Sequence, residues 1–310
     1  HYTTQRENFF HAVGVNVQST QWAKLRNHLA RVSDCGHDAD FSRYDGNLRA
    51  DFLDASNRII IGTIRAVQAE NGTPVTLEQE TIMEILLEEI VRSISLSKTT
   101  VYMDTHGNPS GSPMTTVTNC IVNLMYHWYC YSRITGNTSL ARFSSDVAFI
   151  AFGDDVAQTY KPGAYNFESV ARIMNDELGQ VYTTASKSTE GALLRINELT
   201  FLKRRWVRDG GSPNIILAPI EKESIYQRFN WTNLPLEAVK DHANVMTEAL
   251  IEAAMHGSRF YGDFVNGIRS GLLKLRRSRQ PHKQEYADVV ASKLISYSEA
   301  YHTFLMRYSA

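Results

Sequence analysis

The stretch Val147-Ala148-Phe149-Ile150-Ala151-Phe152-Gly153-Asp154-Asp155-Val156-Ala157-Gln158-Thr159-Tyr160 decides how this chain is read. Six consecutive apolar residues end on Gly-Asp-Asp and a second strand-like run follows at once, which predicts a β-hairpin with two adjacent carboxylates at its tip. An ionised carboxylate taken out of water without a partner is costly, and two in sequence repel each other, so a divalent cation is the natural compensation. Magnesium suits an all-oxygen site of this kind. Gly-Asp is also ordinary turn chemistry, and the hairpin by itself is equally compatible with a solvated tip.

Bulk properties narrow the setting. The chain has 310 residues, 43% of them hydrophobic, enough for one large multi-lobed domain or two ordinary ones, and too apolar for a disordered chain. A formal net charge of -1 gives no global field for nucleic acid, so such contacts would fall to local basic clusters. Two exist: Lys203, Arg204, Arg205 and Arg208, then Lys274, Arg276, Arg277, Arg279 and Lys283. Either could equally be a solvated face. The three cysteines, Cys35, Cys120 and Cys130, argue against a secreted disulfide scaffold and for a reducing compartment. No apolar run reaches the roughly 20 residues of a spanning helix and no signal-like start is present, so the chain reads as soluble.

Working outward from the hairpin, Asp40-Phe41-Ser42-Arg43-Tyr44-Asp45 places two carboxylates five residues apart, one at a strand end and one past a bend. Ser110-Gly111 feeds a helix expected to start at Ser112-Pro113, with serine as cap and proline in the first turn. Met114, Val117, Ile121, Leu124, Trp128 and Tyr131 recur at helical spacing as its core stripe. Thr115, Asn119 and Asn123, four apart, line the neighbouring edge, either as satisfied core groups or as a reading edge. Thr81 to Ser97 predicts a further surface helix, packed on the core through Ile82, Ile85, Leu86, Ile90 and Ile94. Helices are expected over about Phe167 to Leu178, Leu236 to Gly257 and Ala287 to Tyr308, which puts a mixed sheet lobe before a helical lobe.

In that order, the acid at a strand end, the polar loop and helix, and the double acid on a hairpin resemble the palm motifs of viral RNA-dependent RNA polymerases. Lys187, within Thr183-Thr184-Ala185-Ser186-Lys187-Ser188, matches the fourth palm motif, and Phe201-Leu202-Lys203-Arg204 matches the fifth, the primer-grip hairpin of picornavirus-like members. Val13-Gly14 and Trp22 resemble the finger segment entering the palm; Glu223-Ser224-Ile225-Tyr226, Trp231-Thr232 and Asp241-His242 resemble the thumb. The resemblance covers nearly the whole chain.

What it implies is an α+β, right-hand polymerase fold: an antiparallel palm sheet packed on helices, with partial fingers and a helical thumb. The implied boundaries are 1–33 partial fingers, 34–55 palm, 56–100 a fingers or palm insertion, 101–208 palm and 209–310 thumb. Catalysis would be nucleotidyl transfer with two Mg2+ ions, or Mn2+, held by Asp40, Asp154 and the Phe41 carbonyl, with Asp155 assisting less directly. Lys187 matches the general acid for the departing pyrophosphate. Asp45 and Asn119 match the pair that recognises the ribose 2′-hydroxyl, with Ser110, Gly111 and Thr115 in the same network; reverse transcriptases generally carry a bulky side chain at the Asp45 position. Lys203, Arg204 and Arg205 would meet the RNA. Partners implied are RNA template and primer, ribonucleoside triphosphates, a protein primer and other viral replication proteins, at replication complexes in the host cytoplasm.

Three departures stand out. Phe152 replaces the commoner tyrosine. Asp38 lies on the same side of its strand as Asp40, either as a second acid behind the site or solvated near the strand start. The basic finger motif that grips the triphosphate has no match in residues 1 to 39, which leads to the expectation that the index finger and fingertips lie upstream of His1. A non-catalytic RNA-binding fragment and a reverse transcriptase are the alternatives.

Overall fold

The computed structural model describes residues 10–103, 106–163, 165–184, 191–230 and 238–309. They fall into two compact units, one of residues 10–14 and 27–201, the other of residues 15–26 and 202–309. In chain order the elements reaching residue 201 are α1 (Thr20–Ala30), β1 (Cys35–Ser42), α2 (Tyr44–Asn47), α3 (Ala50–Glu70), α4 (Leu77–Val91), β2 (Ile94–Ser97), β3 (Thr100–Met103), α5 (Thr115–Thr135), α6 (Leu140–Asp146), β4 (Val147–Phe152), β5 (Asp155–Tyr160), α7 (Phe167–Asp176), β6 (Val181–Thr183) and β7 (Leu194–Arg195).

The first unit is built on an antiparallel sheet of order β4-β5-β1-β6, with β7 pairing the start of β1. The predicted hairpin is present, with Phe152 opposite Asp155 and Gly153-Asp154 as its two-residue turn. β5 then runs against β1 in the register Gly36↔Thr159 to Ala39↔Val156. Such close pairing demands glycine at position 36, because a Cβ there would lie 1.8 Å from the Gln158 carbonyl oxygen. Along β1 the faces alternate as a strand must. Ala39 and Phe41 enter the main core with Tyr126, Phe149, Val156 and Tyr182, while Asp38 and Asp40 share the other face. Asp38 is buried and accepts a hydrogen bond from the Thr200 amide at 2.7 Å, so it fastens β1 to the segment before residue 201.

Two helical expectations in this unit need correction. α5 begins at Thr115; Ser112-Pro113 form a turn ahead of it, closed by Thr115 N–H to the Ser112 carbonyl. Its polar edge is buried along with the apolar residues: Asn119, Cys120, Asn123, His127 and Cys130 lie as deep as Val122 and Tyr126, while of the expected stripe Ile121 and Tyr131 are buried and Leu124 and Trp128 half-buried against the core. The segment Thr81 to Ser97 is not one helix. α4 runs Leu77–Val91, opened by a Thr76/Gln79 capping box, and Ile94–Ser97 is instead a strand paired with β3. Only the end of α4 meets the core, through buried Val91, with Ile90 half-buried beside it; among the described residues Ile82, Ile85, Leu86, Ile94, Leu96 and Val101 are exposed, together with Ile59 and Val67 of α3. Periodicity identified an amphipathic helix, but periodicity carries no information about what covers the apolar side.

The second unit holds β8 (Val207–Arg208) paired with β9 (Ile216–Leu217), then α8 (Lys222–Gln227), α9 (Ala238–Ala254), α10 (Ser258–Arg276), α11 (Pro281–Ala291) and α12 (Tyr297–Ser309). The helix expected over Ala287 to Tyr308 is broken, because Ser296 restarts the chain as a cap: its N–H and hydroxyl reach Glu299 and its hydroxyl accepts from the Glu299 amide. α9, α10, α11 and α12 enclose a core around Ile225, Leu250, Phe264, Val290 and Ala300. Trp22 of α1 belongs to this unit, stacked on Trp206 at 4.7 Å with each indole N–H donating to the other segment's backbone, from Trp22 to the Arg205 carbonyl and from Trp206 to the Trp22 carbonyl. Trp231-Thr232 lie outside the described residues. Among the described residues no helix is long and apolar enough to cross a membrane.

Candidate active site

The turn at the tip of β4-β5 takes its shape from Gly153, whose φ of +66° is the left-handed value that glycine adopts without a Cβ penalty. Glycine first and a negative-φ residue second is the pattern of a type II′ hairpin turn. It leaves Asp154 projecting at the tip and Asp155 half-buried at the first position of β5. Although Asp154 is open to solvent as a residue, partial desolvation of its carboxyl, followed by the negative charge of Asp45, pushes it above the usual carboxylate range. Asp40 is half-buried near the end of β1, paired with Thr183. The pairing of β1 with β5 ends at Ala39↔Val156, so Asp40 and Asp155 are the next residues along the two neighbouring strands. Phe41 anchors that strand end through ring contacts with Tyr44 at 4.6 Å and Tyr182 at 4.8 Å.

Between the two upstream acids the chain must turn sharply, and Arg43 does this in the left-handed conformation at φ +54°. A non-glycine residue there is strained, and such strain persists where surrounding structure over-determines it. The bend sets Asp45 on α2, facing α5. Its two oxygens accept from different elements: Oδ1 from Asn119 Nδ2 at 2.5 Å and Oδ2 from the Ser110 hydroxyl at 3.0 Å. Asn119 is buried, and its own Oδ1 accepts from Asn108 Nδ2 at 2.8 Å. Tyr44, also buried, donates to the Asn119 backbone carbonyl at 3.0 Å. A carboxylate with two lone pairs per oxygen can still accept from a further hydroxyl.

The loop 106–111 is held against α2 by Gly107 N–H to the Leu48 carbonyl and Asn108 N–H to the Asp45 carbonyl. Gly107 has φ +87°, and a Cβ on it would sit 3.0 Å from the Asp45 carbonyl oxygen, so glycine is required twice over. Gly111 also has positive φ, at +99°. A cleft of about 420 Å³ opens beside Asp45, lined by Ser93, Ser95, His106 and Asn108 among others. Asn108 was overlooked by the sequence reading; its signal is the Gly-Asn-Pro turn before Ser110-Gly111. Thr115 joins the network through its backbone, its carbonyl accepting from Asn108 Nδ2 at 3.3 Å, while its hydroxyl donates to the Pro109 carbonyl at 2.8 Å and stiffens the loop.

Of the remaining expected residues, Lys187 lies outside the described residues, as do positions 185–190 around it. Lys203 and Arg205 are exposed, and Leu202 and Lys203 form a tight turn with φ of +53° and +57°. Arg204 must be corrected as an RNA contact. It is buried, its guanidinium pairing with Glu252 of α9 at 2.6 and 2.8 Å and donating to the Ala218 carbonyl at 2.6 Å. Gln18 adds a bond to the same carboxylate. Among the described residues no group of three or more His, Cys, Asp or Glu side chains is gathered as a ready-made metal cage.

Comparison with known proteins agrees with this geometry. The sequence profile of the viral RNA-dependent RNA polymerase family matches residues 1–272. The chain is 30% identical over 275 residues to the replication polyprotein of Nora virus, covering 87% of this chain and 12% of that polyprotein. Over 285 residues it is 28% identical to the replicase polyprotein of Cricket paralysis virus, covering 87% of this chain and 16% of the other. In structure it resembles the Sicinivirus 3Dpol RNA-dependent RNA polymerase with a TM-score of 0.71 at 18% identity, covering 98% of this chain and 57% of that one. The chain thus spans a small part of the polyproteins it matches and just over half of a solved polymerase.

Proposed function

This chain belongs to the viral RNA-dependent RNA polymerase family, and from that premise we propose that it forms the palm and thumb of an enzyme that copies RNA by nucleotidyl transfer to an RNA 3′ end. The palm would comprise residues 34–55 and 101–208, and the thumb residues 209–310. The observation that carries this reading is the Asp45–Asn119–Ser110 network beside the Gly153-Asp154 turn. A carboxylate fixed from both sides, with lone pairs left over and a cleft next to it, suits a sugar hydroxyl that needs an acceptor.

The donor set fits magnesium. Asp40, Asp154 and Asp155 offer hard oxygens on adjacent strands and the turn that joins them, and the Asp154 carboxyl is pushed upward first by partial burial and then by the charge of Asp45, both of which a cation would offset. Magnesium characteristically keeps waters and takes one or two carboxylates plus substrate phosphates, so a complete protein cage is not needed. Asp40, the Phe41 carbonyl and Asp154 would hold two such ions, with Asp155 supporting them; Mn2+ would serve in their place. When bound, the ions stabilise the attacking and leaving oxygens of an in-line displacement. The protein's own contribution is positioning. Asp45 and Asn119 orient the ribose, Gly107 and Gly111 let the loop backbone approach the sugar, and Lys187 would deliver a proton to the departing pyrophosphate. Lys203 and Arg205 would meet primer phosphates.

The test is primer extension by the full polymerase carrying this chain, on a homopolymeric template, with ribonucleotides and deoxyribonucleotides in parallel. Extension with ribonucleotides alone is expected. RNA binding without extension, or equal use of both sugars, would overturn the reading.

A further inference from the structure

α5 touches the Gly153-Asp154 turn at a point the proposed chemistry does not use. Gly153 is buried, and both of its backbone polar groups are bound by α5 side chains. Its N–H donates to Cys120 Sγ at 3.2 Å, and its carbonyl accepts from Asn123 Nδ2 at 2.9 Å. The Cys120 thiol in turn donates to the Ala151 carbonyl at 3.7 Å. Only a neutral thiol can accept and donate together, and burial keeps this one protonated by pushing it up to about 11. Asn123 and Cys120 are almost wholly inaccessible to solvent. A buried asparagine in a helix is unfavourable by propensity and by desolvation, and the Oδ1 of Asn123 has no partner among the described residues. The bond to Gly153 is what its amide is there to make.

The geometry explains what that bond controls. The Gly153 carbonyl belongs to the same rigid peptide plane as the Asp154 N–H. A glycine-containing two-residue turn interconverts between turn types by rotating one such plane, and glycine makes the rotation cheap. Rotation would swing the Gly153 carbonyl away from α5 and redirect the Asp154 side chain. Asn123 selects one of the two orientations, and Cys120 fixes the plane before it.

We infer that Asn123 and Cys120 are positioning residues that clamp the Gly153-Asp154 turn in the orientation that presents the Asp154 carboxylate to the divalent cation. The inference rests on the proposed metal-dependent function. Residues that orient a metal ligand from behind are worth about 10- to 100-fold in metal affinity or activity when removed.

The experiment compares Asn123→Ala, Asn123→Asp, Cys120→Ala and Cys120→Ser with wild type in the full polymerase, using Mn2+ alone as the probe. Three quantities are read: Mn2+ affinity by electron paramagnetic resonance without nucleotide, deuterium exchange of the peptide around Gly153 without metal, and kcat and KM for extension. Asn123→Ala is expected to weaken Mn2+ binding about 10-fold or more and lower kcat similarly, while KM for the ribonucleotide changes less than about 3-fold. Exchange at the turn should accelerate. Cys120→Ser, which keeps a donor and an acceptor, should hold wild-type affinity where Cys120→Ala loses it. If Asn123→Ala is too unstable to purify, Asn123→Asp and the Cys120 pair carry the same comparison. Variants that lose thermal stability or activity with Mn2+ affinity and turn exchange unchanged would overturn the clamp and leave only a packing role. Wild-type protein that binds Mn2+ but extends no RNA, with affinity still weakened in the variants, would sink the polymerase reading and leave the clamp standing.

Discussion

Replacing Asn119 by alanine is the sharpest test of sugar recognition, because the structure says what each end of that side chain does. Its Nδ2 holds Asp45 Oδ1 at 2.5 Å and its Oδ1 receives Asn108 Nδ2 at 2.8 Å. Asn119→Ala therefore frees one oxygen of a half-buried carboxylate and leaves Asn108 with only its longer bond to the Thr115 carbonyl, at 3.3 Å. A hydrogen bond to a charged group contributes about 1.5–3 kcal/mol, which corresponds to about 10- to 150-fold in a rate constant. That loss should fall on the ribonucleotide, whose 2′-hydroxyl needs Asp45 held in place. A deoxyribonucleotide has no group there and should be spared. The assay is single-nucleotide extension with each sugar, read as kcat/KM. The ratio between sugars should narrow by about 10-fold or more, with kcat/KM for the deoxyribonucleotide nearly constant. Equal losses for both sugars would refute the assignment and make Asn119 a structural residue alone.

Asp154→Asn should abolish extension yet raise the melting temperature near pH 7. The folded-state carboxyl is pushed upward, so its ionised form is penalised above its unfolded pKa, and the gain should fade near pH 3, where both states are protonated. Thermal melts at both pH values, with and without Mg2+, check this; Mg2+ should stabilise the wild type more than the variant. His127 is fully buried on α5, with Nδ1 bonded to the Tyr165 hydroxyl at 2.6 Å, and burial drives it down to about 3 from 6.5. Between those values the unfolded chain binds the extra proton, so stability rises with pH there; on acidifying from pH 8 to 5 this group should cost about 2 kcal/mol. Urea melts of wild type and His127→Phe across that range should differ in pH slope, and parallel slopes would contradict the assignment. Arg204→Ala leaves the buried Glu252 carboxylate with only Gln18 and, at 3.7 Å, Arg228, and should destabilise the chain by about 3 kcal/mol. Lys203→Ala and Arg205→Ala should leave melting unchanged while weakening RNA affinity and flattening its salt dependence.

What the sequence disclosed depended on whether a residue's partner was local. The hairpin from Val147 to Tyr160 was legible because both strands and their turn are contiguous, and alternation plus Gly-Asp sufficed. Asp45, Ser110 and Asn119 were legible only through motif order, since they meet from 65 and 74 residues apart. Arg204 looks like its exposed neighbours Lys203 and Arg205 in any window of sequence; only Glu252, 48 residues later, turns it inward. The α4 stripe failed for the converse reason. Ile82, Ile85 and Leu86 describe one side of a helix correctly, yet among the described residues that side faces solvent.

The burial of the polar edge of α5 has the same origin and a larger consequence. A stripe of apolar side chains beside a stripe of Thr and Asn would ordinarily bury the first and expose the second. Here the polar edge is buried because hydrogen-bonding groups meet it: the Asp45 carboxylate and the Asn108 amide at Asn119, the Gly153 N–H at Cys120, and the Gly153 carbonyl at Asn123. Asn119 and Asn123 are one helical turn apart, a rise of about 6 Å. A straight, hydrogen-bonded turn of helix is among the stiffest spacers a chain can build, so the interval between the carboxylate proposed to read the sugar and the turn proposed to hold the metal should be set by α5 more than by the loops that carry them. A perturbation that bends α5 between these residues should damage sugar discrimination and metal affinity together, whereas loss of either side chain alone should damage only its own end. Measuring both quantities in Val122→Gly, which loosens that turn of helix without removing a polar contact, would separate the two cases: joint loss supports a rigid spacer, and loss of one with the other intact argues that the loops hold their own positions.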